Sequence, residues 1–92
     1  MIRAAGDRLE VVQPMVLANA SALLAQGKSR LDAEETVFDL GKIAELDSSA
    51  LAVVFGWTRA AARAGRRVRI VNAPENLLSL ADLYGVAQLL PL

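Results

Sequence analysis

The stretch from residue 36 to residue 71 limits the fold more than any other part of the chain. Thr36-Val37-Phe38-Asp39-Leu40 is rich in strand formers. Residues 48–63 then carry apolar side chains at helical spacing and stop before Gly65. Residues 66–71 alternate, with Val68 and Ile70 set against Arg67 and Arg69. A strand, a helix and a strand joined by short connections imply a right-handed crossover between parallel strands. The first of these strands has little polar interruption, which predicts a central place with both faces covered.

The flanking segments extend the pattern. Gly6-Asp7 is a turn signal inside residues 2–12, which read as a hairpin. Pro14 suits the start of a helix, where its missing N–H costs nothing. Val16, Leu17, Ala20, Leu23 and Leu24 give that helix an apolar face, and Gly27 is expected to end it as a left-handed cap. Asn72 is a plausible cap for a last helix whose buried face is Leu77, Leu80, Ala81 and Tyr84. Gly85 ends this helix, and residues 86–92 form an apolar tail packed beside it. The expected order is β-β-α-β-α-β-α in a single domain over residues 1–92.

Composition removes several function classes. Ten basic residues balance ten acidic ones, so no surplus exists to neutralise nucleic-acid phosphates or an anionic membrane. There is no Cys and no His, which removes thiolate chemistry, the usual zinc ligands and a His acid–base relay. Asp39, Asp47 and Ser48 have no third orienting group visible beside them, and no Gly-rich phosphate loop occurs. The chain is therefore read as a binding module without enzymatic activity and without a cofactor. The uncharged run over residues 48–58 is far below the ~18–20 apolar residues of a membrane span. The first residues lack the apolar core of a signal peptide, so a cytoplasmic location is expected.

The helix over 48–63 presents two apolar stripes. Leu51, Val54, Phe55, Thr58 and Ala62 form the expected core face. Ser49, Val53, Gly56, Trp57 and Ala60 form a second stripe, uncharged and flanked by Arg59 and Arg63. Trp is enriched at interface hot spots and small residues permit close approach, so this stripe is expected to dock on a partner. The alternative is that Trp57 folds onto a neighbouring helix and completes the core. Arg59 and Arg63 would then be a basic rim, or simple solubilising charges.

Asp47-Ser48-Ser49 opens that helix. Asp and Ser in such a place are N-cap residues, whose oxygens accept from the free N–H groups of the first turn. A helix N-terminus also favours a phosphate on a serine hydroxyl.

Several motifs carry a resemblance. Val37-Phe38-Asp39-Leu40-Gly41, then Leu46-Asp47-Ser48-Ser49-Ala50-Leu51, then the helix ending at Gly65 and Val68-Arg69-Ile70-Val71 resemble the STAS domain. That family includes bacterial anti-sigma-factor antagonists and the tails of sulfate transporters. The resemblance covers nearly the whole chain, although many members have Gly where this chain has Ala50. It implies an α/β STAS fold: a four-stranded, mostly parallel sheet, an N-terminal hairpin and three to four helices. It places Ser48 on the position phosphorylated in the antagonists.

Residues 76–86 (Asn-Leu-Leu-Ser-Leu-Ala-Asp-Leu-Tyr-Gly-Val) and the Leu89-Leu90-Pro91 ending are similar to the STAS subunits (MlaB) of bacterial phospholipid-transport ABC complexes. Those complexes maintain outer-membrane lipid asymmetry. This resemblance implies a cytosolic accessory subunit that binds the ATPase subunit, supports assembly and activity, and reaches the inner membrane only through that partner. Under this reading and the competing one alike, the corner and the second stripe give the expected contact set: Ser48, Ser49, Val53, Gly56, Trp57 and Ala60. The competing reading is an anti-sigma-factor antagonist that binds a serine kinase and is switched by phosphorylation of Ser48.

Overall fold

The computed structural model describes residues 1–92. The chain runs β1 (Ile2–Ala5), β2 (Arg8–Val11), α1 (Leu17–Lys28), β3 (Glu35–Asp39), α2 (Ser49–Arg63), β4 (Arg67–Val71) and α3 (Glu75–Leu83). A 3-10 turn, Ala87–Leu89, follows. The four strands lie in the order β1-β2-β3-β4, with β1 antiparallel to β2 and the rest parallel. This is the expected α/β architecture. Gly6 turns the hairpin at a φ of 66°, which a residue with a Cβ adopts at a cost.

Strand order that follows chain order, with right-handed crossovers, sends α1 and α2 to the same side of the sheet. The two helices pack on each other there, and α3 packs beside α2. The core lies between this helical layer and one sheet face, where Val11, Phe38, Val68 and Ile70 meet Leu23, Val54, Trp57 and Leu77.

The other sheet face is open, so the expectation that β3 is covered on both sides is corrected. Its strands alternate between buried and charged residues. The charges pair across the sheet: Arg3 with Glu10 at 3.1 Å, Arg8 with Asp39 at 3.3 Å and Arg69 with Glu35 at 3.4 Å.

Three expected caps differ in the structure. Pro14 does not begin a helix. It lies in an extended connection, and α1 starts at Leu17 after Met15 has bridged to Leu46 in parallel. Gly27 is not in the left-handed region. It is buried inside the last turn of α1, where only a hydrogen can face the indole of Trp57. Asn72 does not cap α3. It adopts a φ of 54° and donates from Nδ2 to Asp39 Oδ1, while Pro74 takes the N-cap position.

Two apolar side chains also lie elsewhere than expected. Helical spacing puts Leu17 on an apolar face and Tyr84 on a buried one, yet both are exposed. The final segment does pack back on the domain: Leu90 is buried, and Pro91 O accepts from Ile70 N at 2.7 Å.

Candidate functional site

The C-terminal ends of the parallel strands feed the three helix starts, the end of an open α/β sheet where ligands and partners bind. The segment before α1 and the segment before α2 are stitched together at this end. Met15 N donates to Glu45 O at 3.0 Å, and Asp47 N donates to Met15 O at 3.2 Å.

Asp47 then serves two helices. Its Oδ1 accepts from Ser49 N at 2.9 Å and from the Ser49 hydroxyl. Its Oδ2 accepts from Leu17 N at 3.0 Å, the first residue of α1. Neither helix carries an acidic residue in its first turn, and neither is capped by the side chain of its own N-cap residue. One carboxylate therefore supplies the acceptor, and the negative charge, that both N-termini lack. The Ser49 hydroxyl and the Leu17 and Ser49 amides hold the Asp47 carboxyl below its ordinary value.

Ser48 has a different role from the one its residue type suggests. It sits at the N-cap position of α2 with helical φ and ψ, and its side chain makes no capping hydrogen bond. The residue is exposed. Its hydroxyl is presented to solvent at the start of α2, with Leu17 of α1, 76% exposed, across the corner. Leu17 was missed as a surface residue because its spacing fits a helical stripe.

The rest of the expected contact set is not on this surface. Val53, Gly56 and Trp57 are buried within the chain. The reason is α1, which lies over the stripe. Trp57 Nε1 donates to Leu23 O at 3.1 Å and to Leu24 O at 3.3 Å, and its ring stacks on Phe38 with centroids 4.0 Å apart. Gly56 faces Leu24, where a Cβ would stand 2.5 Å from Cδ1. The expected outward stripe is thus an inward one, and Ala62, expected in the core, is exposed. Ala60 is partly buried against the core, roughly 16 Å along the helix from Ser49 at 1.5 Å per residue. Arg59 and Arg63 are exposed on the same distant half of α2, so they rim nothing at the corner.

A second polar cluster braces the same end from the open sheet face. Asp39 accepts from Gly41 N at 2.8 Å, from Asn72 Nδ2 at 3.1 Å and from Arg8 Nη1 at 3.3 Å. The Gly41 amide first, then Asn72 and Arg8, hold its carboxyl below the usual range against the opposing effect of burial. This cluster ties β2, β3 and the loop before α3 together. Every group in it has a partner, so it reads as a brace rather than a binding site.

A family model described as "Mlab, STAS domain" matches residues 2–91. The chain belongs to the STAS-domain family. No curated protein matches it. Among solved structures, this STAS domain is similar to the anti-sigma factor antagonist SpoIIAA in its unphosphorylated form. The TM-score is 0.73 at 11% identity, over 96% of this chain and 82% of that one. The Bacillus cell fate determinant SpoIIAA in the phosphorylated form gives 0.69 at 11% identity, over 96% and 85%. A structure named Mglu gives 0.58 at 22% identity, over 82% of this chain but only 19% of that one. At these identities the likeness is one of fold. No helix of this STAS domain is long and apolar enough to cross a membrane.

Proposed function

We propose that this STAS domain is the accessory subunit of an ABC phospholipid transporter. It docks on the ATPase subunit with the corner where α1 and α2 begin. The observation that carries the reading is Ser48: an exposed hydroxyl, unused by the fold, on a corner that Asp47 makes rigid. Asp47 and Ser49 spend their side chains on each other and on Leu17, which leaves Ser48 and Leu17 as the groups free to meet a partner. The family description over residues 2–91 supports the transporter assignment. In this reading the protein is cytoplasmic, reaches the inner membrane through its partner, and supports assembly and ATPase activity without chemistry of its own.

The test is co-expression with the ATPase subunit and co-purification, with Ser48→Glu beside the unaltered chain. Recovery of a complex that Ser48→Glu abolishes is the expected result. Recovery of a small serine kinase instead, with phosphate appearing on Ser48, would overturn it. That outcome belongs to the second reading, an anti-sigma-factor antagonist, which the fold shared with SpoIIAA favours.

A further inference from the structure

At the sheet edge, away from the corner, β4 is paired on one side only. Arg67 N donates to Glu34 O at 2.9 Å, and Leu40 N donates to Val71 O at 3.1 Å. The alternation of a parallel ladder therefore turns the peptide groups of Arg67, Arg69 and Val71 toward β3 and those of Val68 and Ile70 outward. Ile70 N is taken by Pro91 O at 2.7 Å; Val68 N has no such partner. Beside it runs a groove of about 320 Å³ lined by Thr58, Ala62, Arg66, Arg67, Val68 and Leu92 among others. Glu35 is the one carboxylate in this lining, and it is already paired with Arg69 at 3.4 Å. Arg67 has no ion-pair partner.

We propose that this edge accepts one added strand, an extended acidic segment of a partner protein. Its main chain would bond to the outward N–H and C=O of Val68, next to the bond that Pro91 O already makes to Ile70 N, the mode of recognition in which a peptide extends a sheet. Alternate side chains of the added strand would stand beside Arg67 and Arg69 on the open face, where carboxylates fit. The intervening ones would meet Thr58, Ala62 and Leu92, where small apolar groups fit. A second copy is the wrong occupant. An antiparallel β4–β4 pair would set Arg67 and Arg69 against the same arginines, the charge device by which edges resist self-pairing.

The test uses the full chain, labelled with nitrogen-15, and two blocked seven-residue peptides that alternate Glu with Val or Lys with Val. The glutamate peptide should slow hydrogen exchange at Val68 N, shift the amides of β4, and bind about tenfold more tightly than the lysine peptide. Arg67→Glu, checked for an unchanged amide spectrum away from β4, should reverse that preference. Ser48→Glu should leave it unchanged, which separates this edge from the docking corner. No binding by either peptide, equal binding by both, or shifts that spare Val68 would overturn the proposal. So would phosphatidylglycerol vesicles that bind and protect Val68 in place of the peptide.

Discussion

The indole of Trp57 occupies the space that a side chain on Gly27 would need. A Cβ at Gly27 would lie 2.7 Å from Cδ1 of the ring and closer still to Nε1 and Cε2. Two effects compete in Gly27→Ala. Helix propensity would gain about 1 kcal/mol, because Gly27 lies within α1 and its φ is not left-handed. Overlap with a fully buried, stacked ring would cost about 1–3 kcal/mol, and more if the two helices must part. The overlap wins, since the ring is held on its other side by Phe38. Urea unfolding should show a lower midpoint at an unchanged slope; a higher midpoint would mean that the last turn of α1 yields freely.

Trp57→Asp should leave the chain unfolded, not merely unable to bind. The substitution would place an unpaired charge where the wild-type side chain is 0% exposed. Trp57→Phe is the milder probe. It keeps a ring beside Phe38 but removes the donor shared by the Leu23 and Leu24 carbonyls. A loss of about 1–3 kcal/mol is expected from thermal or urea unfolding. A folded Trp57→Asp variant by circular dichroism would contradict the buried placement.

Acid should destabilise the fold through Asp39 and Asp47. Both carboxyls are held below the ordinary value of about 3.9 by the hydrogen bonds they accept in the folded state. The native state therefore binds fewer protons than the unfolded one near that value. Their contribution is fully present above about pH 4 and is lost as pH falls through the lower folded values. Asp47→Asn should reduce stability at neutral pH and flatten the acid limb of a stability–pH curve. An unaltered acid limb would show that Asp47 is not linked to folding.

Ser48→Ala should change stability by no more than about 0.5 kcal/mol, because the hydroxyl makes no capping bond. Ser48→Glu should leave the fold intact, or stabilise it by about 0.3–1 kcal/mol, by placing a negative charge at the start of α2. Thermal unfolding of the two variants checks both statements. A large loss in Ser48→Ala would mean that Ser48, and not Asp47, is the cap.

The order of elements was legible because each change of apolar period coincides with a Gly or a charged connection, as at Gly41 and Gly65. The Asp47-Ser48-Ser49 corner was legible for the same reason: cap residues precede an apolar run. The burial of α2 was not. A helix wedged between a sheet and a second helix needs an apolar arc wider than one stripe. Its width reads equally well as a core face plus an outward face, and only the position of α1 decides between them. Gly27 and Asn72 were misread because caps and close contacts draw on the same residues. Gly27 is glycine for the ring of Trp57, while Asn72 uses its left-handed backbone to reach Asp39.

The chain carries one tryptophan, and it lies where α1, α2 and β3 meet. The protein therefore contains its own optical reporter. With the indole dry and stacked, its emission belongs at the blue end of the tryptophan range and moves to the red only when water enters between α1 and α2. A partner that covers Ser48 and Leu17 leaves the emission maximum in place. One that prises the helix pair apart does not, so a single fluorescence titration separates docking from opening.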